Sequence, residues 1–198
     1  MKNISFYSLD YNVEFLEVTL TLLLACSALF CACSNAQKEN NSNINPKNKT
    51  MVVYFSATGT TAKVAEQIAQ ALNTEALEIA PQPAYTKEDL DWTNKESRSS
   101  VEMNDSTCRP AIGAIDIHDA DTIYLGYPIW WNLAPRQVYT FLESIKLEGK
   151  TIIPFATSGS SPIENSAKVL KETYPAANWK EGRLLNNATD EDIKAFVK

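Results

Sequence analysis

A hydroxyl-rich turn between a buried strand and an amphipathic helix constrains this chain more than any other feature. Residues 51–55 form a short, apolar, β-prone run that is typical of a parallel strand covered on both faces. The turn 56–61 reads SATGTT, and Val64 and Ile68 then recur at helical spacing within residues 62–72. A turn that leaves a strand and opens a helix aims free backbone N–H groups at one point, where the helix dipole adds positive potential. The pattern predicts an anion site.

The chemistry of this turn favours a phosphate monoester. Gly59 allows a ligand to approach the backbone closely, and the neighbouring hydroxyls add donors. No lysine follows the glycine, and no G-x-G-x-x-G pattern is present, so nucleoside triphosphate and dinucleotide sites are not indicated. The alternative is a capped helix without a ligand. The candidate phosphate-binding residues are Ser56, Ala57, Thr58, Gly59, Thr60 and Thr61.

The rest of the domain alternates between strand and helix patterns. Further strands are predicted at 75–79, 121–126, 151–156 and 182–185, and further helices at 86–103, 135–145, 161–174 and from 190 onward. Thr189 is the predicted N-cap of the last helix. Such alternation predicts an α/β fold of three layers, in which helices cover both faces of a five-stranded parallel sheet.

Three segments together resemble the flavodoxin-like family. Residues 52–68 fit its signature, V-V-Y-F-S-x-x-G-x-T-x-x-x-A-x-x-I, at every constrained position, and segments 125–135 and 154–160 are similar to its second and third flavin loops. The resemblance covers residues 51–198. It implies bound FMN, a sheet of order 2-1-3-4-5, and a flavin at the carboxyl edge of the strands, near the switch point between strands 1 and 3.

The second loop is too aromatic for an ordinary solvated loop. A predicted buried strand ends in Gly-Tyr-Pro-Ile-Trp-Trp, and exposed tryptophan pairs are usually avoided unless they face a ligand or partner. Trp130 or Trp131 is expected to lie against the flat flavin ring, with Pro128 and Ile129 shaping the loop. The alternative is that both tryptophans pack under the following helix. The candidate residues here are Pro128, Ile129, Trp130, Trp131 and Asn132.

The third loop offers donors to the polar edge of a flavin. Its candidate residues are Thr157, Ser158, Gly159 and Ser160, although a plain turn of small residues remains an alternative. The second loop is neutral up to Arg136 and the third up to Glu164. Few acids near the ring weaken the case for an electron carrier of very low potential.

Charge and composition narrow the classes of partner. The net charge is -6, and its excess of acids lies in the domain, which argues against nucleic acid as a partner. His118 is the single histidine, and Cys108 is the one cysteine of the domain, so the sequence predicts neither a metal site nor a catalytic triad. No catalytic residue is assigned, because flavin electron transfer requires none from the chain.

The N-terminal segment resembles a bacterial lipoprotein signal. The apolar run 18–32 is shorter than the roughly 20 residues that span a bilayer, and it is followed by Cys33 and a polar, Asn-rich stretch. We expect residues 1–33 to be a signal segment with lipidation at Cys33, residues 34–50 a tether, and 51–198 the domain. Cys26 is an alternative lipidation site, and an uncleaved or simply secreted N-terminus is another reading.

These patterns predict an FMN-binding, flavodoxin-like redox protein of a bacterial cell envelope, either lipid-anchored or secreted. Its partner would be a redox protein or a small electron acceptor. One alternative is an FMN-dependent NAD(P)H or quinone-type reductase. Another is a binding lipoprotein that has the fold but a degenerate flavin site.

Overall fold

Strands and helices alternate along the chain in the computed structural model, which describes residues 49–198. The strands are β1 (Thr50–Tyr54), β2 (Ala76–Glu78), β3 (Thr122–Pro128), β4 (Thr151–Thr157), β5 (Asn178–Trp179) and β6 (Arg183–Leu184). The helices are α1 (Thr60–Leu72), α2 (Arg98–Asn104), α3 (Arg136–Ser144), α4 (Glu164–Thr173) and α5 (Asp190–Phe196). The predicted signal segment, Cys26, Cys33 and tether residues up to 48 lie outside the described residues. Within 49–198, no helix has both the length and the apolar character needed to cross a bilayer.

The sheet has the predicted strand order. β1 lies between β2 and β3, β4 follows β3, and every one of these pairs is parallel. The order 2-1-3-4-5 and the three-layer α/β/α arrangement are therefore confirmed. The carboxyl ends of β1 and β3 are adjacent, because Tyr54 pairs with Gly126. Those of β3 and β4 are adjacent as well, because Pro128 pairs with Thr157.

Two apolar cores cover opposite faces of the sheet. Alternate strand residues such as Val53 and Leu125 pack with Phe141 of α3 and Leu170 of α4. The intervening strand residues pack against α1 and α5, chiefly around Ile68. All the residues named here are fully buried. The helical periodicity of α1 and α3 thus marks the faces that cover the sheet.

The fifth strand position is broken into two short pieces. β5 pairs with the start of β4 and β6 with its end, so the prediction of a strand at 182–185 accounts for β6 alone. The carbonyl oxygens of Ile152 and Ala156 accept hydrogen bonds from the backbone N–H groups of Lys180 and Leu185, at 2.9 and 2.8 Å. Pro154 lies midway between them in β4, so its backbone faces the same neighbouring segment. Because proline has no N–H, the ladder loses a donor where β5 and β6 separate. A Cβ on Gly182, in the interruption, would lie 3.3 Å from Pro154 Cβ.

The predicted helix at 86–103 is wrong over most of its length, because α2 begins at Arg98. Thr86 does form a capping turn where the predicted helix was to begin, since Asp89 N donates to its Oγ1 at 3.2 Å. The turn does not propagate. Carboxylate and amide oxygens of Asp91 and Asn94 instead accept local backbone N–H groups, at 3.0 and 2.9 Å. Short polar side chains compete in this way with the helical hydrogen-bond ladder.

The last helix begins as predicted. Thr189 Oγ1 accepts from Asp192 N at 3.2 Å, and Asp192 Oδ2 accepts from Thr189 N at 2.9 Å. This reciprocal pair is a capping box. These hydrogen bonds lower the pKa of the Asp192 carboxyl.

Candidate functional site

The hydroxyl-rich turn leaves β1 at the carboxyl edge of the sheet and opens α1. Gly59 is the N-cap of α1 and adopts a left-handed backbone with φ of 87°, which favours glycine. No side chain caps the helix. Gly59 N donates to Ser56 Oγ at 3.1 Å, whereas the backbone N–H groups of Thr58, Thr60 and Thr61 have no acceptor among residues 49–198. The turn therefore presents free donors at its exposed centre, as an anion site requires.

A buried hydroxyl pair joins this turn to the third loop. Thr61 Oγ1 and Thr157 Oγ1 lie 2.8 Å apart, and both residues are buried. Thr61 belongs to the first turn of α1, and Thr157 is the last residue of β4. Their hydrogen bond fixes the two loops relative to each other, and it turns both hydroxyls away from solvent.

The second loop is a two-residue hairpin turn. Trp130 and Leu133 exchange two backbone hydrogen bonds of 2.9 Å. The two residues between them, Trp131 and Asn132, have φ of 46° and 63°, which is the left-handed pair of a type I′ turn. The Trp131 side chain is left 48% exposed at the tip. Asn165 Nδ2 donates to Asn132 O at 2.9 Å and ties the tip to α4.

The two tryptophans of this loop have different surroundings. Trp130 packs inward, with its ring edge-on to Phe55 at 5.4 Å and to Tyr85 at 5.7 Å between centroids. Phe55 directly precedes the hydroxyl-rich turn, so the aromatic cluster connects the first and second loops. Trp131 is thus the free aromatic surface of the pair. Contact of either residue with a flavin stays a prediction.

The third loop is organised by two side chains. Ser158 Oγ accepts from the backbone N–H groups of Ser160 and Ser161, at 3.2 and 2.8 Å. Asn186 contacts the Ser158 backbone twice: Ser158 N donates to its Oδ1 at 2.8 Å, and its Nδ2 donates to Ser158 O at 2.6 Å. Gly159 stays exposed at the tip. The second and third loops are also joined directly, because Ile129 N donates to Thr157 O at 2.9 Å.

The structure therefore brings all three predicted loops to one edge of the sheet. It also adds two residues that the sequence did not indicate, Tyr85 and Asn186. Asn186 lies far along the chain from the loop that it holds, so no local pattern marks it. Tyr85 follows β2, where a proline-rich stretch suggests an ordinary connection. Burial raises the pKa of the Tyr85 phenol well above its ordinary value, and its hydrogen bond to the Glu102 carboxylate raises it further.

Two arginines outside the three loops have structural partners. Arg109 NH2 pairs with Glu143 at 2.8 Å, and its guanidinium lies 5.3 Å from the centroid of the Tyr139 ring. Arg136 is buried and donates to the backbone carbonyls of Glu102 and Met103. Arg136 thus links α3 to α2, and Arg109 links the loop after α2 to α3.

A parallel sheet with three polar and aromatic loops at its carboxyl edge, around an uncapped helix N-terminus, defines the class of flavodoxin-like α/β proteins. A family model described as Flavodoxin matches residues 49–198. The chain belongs to the flavodoxin family.

Solved structures agree with this assignment. A candidate flavoprotein from Bacteroides eggerthii DSM 20697 is 56% identical, with a TM-score of 0.72, and the match covers 75% of this chain and 94% of that chain. A second one, from Bacteroides uniformis ATCC 8492, is 55% identical, with a TM-score of 0.73 and coverage of 76% and 97%. A flavoprotein from Lactobacillus acidophilus NCFM, solved in complex with FMN, is 21% identical, with a TM-score of 0.57 and coverage of 76% and 99%, which shows a shared fold. A search of curated proteins gave no match.

Proposed function

We propose that this chain binds FMN and transfers electrons at the cell envelope. The observation that carries the proposal is the turn 56–61, which is exposed at its centre and has free backbone donors at the sheet edge beside the tryptophan loop. The donor set fits a phosphate monoester, because it combines uncapped N–H groups with hydroxyls and contains no lysine. The flavoprotein solved with FMN supports the same choice of cofactor.

Each loop would hold a different part of the cofactor. The turn 56–61 would bind the phosphate through the N–H groups of Thr58, Thr60 and Thr61. Trp131, with its ring half-exposed, would cover one side of the flavin ring. The exposed tip of the third loop, at Gly159 and Ser160, would face the polar edge. Bound FMN supplies the redox chemistry by taking up and releasing electrons, and the chain positions it and excludes water.

A titration of the purified domain with FMN tests this assignment. We expect retention of FMN at micromolar concentration, with quenched flavin fluorescence. Riboflavin lacks the phosphate, so it should bind at least about 100-fold more weakly if the turn grips that group, a difference of roughly 2.7 kcal/mol. No retention of FMN would eliminate both redox readings and leave a binding lipoprotein. Equal affinity for riboflavin would exclude the turn as the phosphate site.

A second candidate is an FMN-dependent reductase of quinones or similar small acceptors. The observation in its favour is the absence of acidic residues from the second and third loops as far as Glu164. Without nearby negative charge, the reduced flavin is less destabilised by repulsion. A reductive titration separates the two candidates. Two resolved one-electron steps would support the carrier, and a single two-electron step with rapid NAD(P)H-linked quinone turnover would support the reductase.

The location is part of the same proposal. The apolar run 18–32 followed by Cys33 supports export and lipid attachment, with residues 34–50 as the tether. Expression of the full chain in a bacterium, followed by detergent phase partitioning, tests this. We expect Cys33→Ala to move the protein from the detergent to the aqueous phase. If Cys26→Ala moves the protein to the aqueous phase instead, Cys26 is the lipidated residue. A wild-type protein that partitions into the aqueous phase would contradict a lipid anchor.

A further inference from the structure

A buried carboxylate lies in the connection between β2 and β3. Glu102 of α2 is only 8% exposed. Its Oε1 accepts from Arg98 Nε at 2.7 Å, and its Oε2 accepts from Gln137 Nε2 at 2.9 Å and from the Tyr85 hydroxyl. These donors come from α2, from the first turn of α3 and from the loop after β2. One carboxylate therefore holds three separate segments together.

The orientation of the Gln137 amide shows that the carboxylate organises this cluster. Gln137 is fully buried, and its Nε2 donates both to Glu102 Oε2 and to the Tyr85 hydroxyl oxygen. Its Oε1 has no donor among residues 49–198. The reversed amide would place Oε1 against the carboxylate, which accepts but cannot donate. The amide therefore directs its Nε2 at the Glu102 carboxylate and leaves its own Oε1 without a hydrogen-bond donor.

The Tyr85 ring connects the Glu102 cluster to the candidate flavin loops. The Arg98 guanidinium lies 4.2 Å from the ring centroid. The same ring packs edge-on against Trp130, at 5.7 Å, and against Phe55, at 6.2 Å between centroids. Trp130 is the first residue of the hairpin turn that exposes Trp131. A continuous set of contacts therefore runs from Glu102 through Tyr85 to the base of the second loop.

We propose that Glu102 and Tyr85 are positioning residues for the second loop: the carboxylate fixes the Tyr85 ring, and the ring holds Trp130 so that residues 129–133 keep one conformation. The phenol hydroxyl has two polar partners, so its removal leaves the ring held only by its contacts with Arg98, Trp130 and Phe55 and leaves Glu102 with one donor fewer. The consequence for FMN binding rests on the proposed function, whereas the consequence for the loop does not.

Hydrogen exchange of the apoprotein tests the loop itself. The amides of Ile129, Trp130 and Leu133 are hydrogen-bonded in the structure, so their exchange rates report on loop opening. We expect Tyr85→Phe and Glu102→Gln to speed exchange over residues 129–133 by at least about threefold, with residues 151–157 unchanged. Tyr124→Phe is the control, because it removes a phenol hydroxyl from a buried residue on the opposite face of the sheet. Unchanged exchange over 129–133 in Tyr85→Phe, or an equal change in the control, would overturn the proposal.

FMN titration of the same variants tests the consequence for the ligand. We expect Tyr85→Phe to raise the dissociation constant by at least about fivefold and to alter the visible circular dichroism of bound flavin, whereas Tyr124→Phe leaves both unchanged. Faster loop exchange with unchanged FMN affinity would overturn the link to the ligand. If the wild type binds no FMN, the proposed function fails while the exchange measurement still decides the positioning role. If Glu102→Gln does not fold, Tyr85→Phe decides alone.

Discussion

Thr61 and Thr157 are separated by 96 positions in the chain, yet their buried hydroxyls lie 2.8 Å apart, and they join the first turn of α1 to the end of β4. The first turn of α1 belongs to the candidate phosphate turn, and the end of β4 begins the third loop. This hydrogen bond therefore directly joins the part of the site expected to hold a phosphate to the part expected to hold the flavin edge.

Thr61→Val should destabilise the protein and loosen the site. Valine keeps the shape of threonine but leaves the Thr157 hydroxyl, which is 4% exposed, without its partner. We expect the free energy of unfolding to fall by about 1–2 kcal/mol, measured by urea denaturation of the apoprotein. Thr173→Val is the control, since its hydroxyl is exposed on α4. Equal losses in the two variants would show that the buried pair contributes no special stability.

Gly59→Ala should separate backbone strain from ligand binding. Gly59 has φ of 87° with nothing within 4 Å of an added Cβ, and Gly149 has φ of 80° with the same open space. Both alanine variants should therefore lose about 1 kcal/mol of stability through strain alone. Only Gly59→Ala should also weaken FMN binding, by at least about fivefold, because Gly59 lies in the candidate phosphate turn and Gly149 does not. Equal FMN affinity in the two variants would contradict a role for Gly59 in ligand binding.

Trp131→Ala should affect ligand binding without affecting folding. Its side chain is 48% exposed at the tip of the hairpin, so little buried surface is lost with it. We expect the FMN dissociation constant to rise by about tenfold, while the thermal midpoint of the apoprotein changes by less than about 2 °C. Trp92→Ala is the comparison, because Trp92 is 75% exposed and lies outside the three loops. Similar affinity losses at both positions would argue against a flavin contact at Trp131.

The Arg109–Glu143 pair should give a pH-dependent contribution to stability. The hydrogen bond from Arg109 lowers the pKa of the Glu143 carboxyl below its ordinary value of 4.5. A carboxyl with a lower pKa in the folded state contributes stability that is present above 4.5 and is lost as the pH falls through the folded-state pKa. The difference in stability between wild type and Glu143→Gln should therefore be present at pH 7 and shrink as the pH falls below 4.5. A stability difference for Glu143→Gln that stays constant with pH would contradict this cause.

Helices with a periodic apolar face could be predicted from the sequence. α1 and α3 follow from residues such as Ile68 and Phe141, because burial against a sheet imposes the helical period. The prediction of a helix over 86–103 failed for a local reason. The side chains of Asp91 and Asn94 accept hydrogen bonds from nearby backbone N–H groups and so compete with the helical hydrogen bonds, which composition alone does not show. The break between β5 and β6 depends on the register that places Pro154 on that side, which only the assembled sheet defines.

The candidate site also has parts that could be predicted from the sequence and parts that could not. The hydroxyl-rich turn could be predicted because its strand, turn and helix are contiguous in the chain. The outward position of Trp131 could not be predicted from the sequence. The hairpin turn is formed by Trp131 and Asn132 in left-handed conformations, without the glycine that usually marks such a turn. Tyr85 and Asn186 reach the loops through long-range contacts, to Trp130 and Ser158, and no sequence spacing encodes these.

The proline in β4 has a further consequence, for self-association. An exposed sheet edge can recruit a strand from another molecule when it offers a long, regular row of backbone groups. Here the last strand position offers two segments of two residues each, separated at Gly182 opposite Pro154. An incoming strand would find no continuous template at this edge, so the interruption disfavours edge-to-edge pairing there.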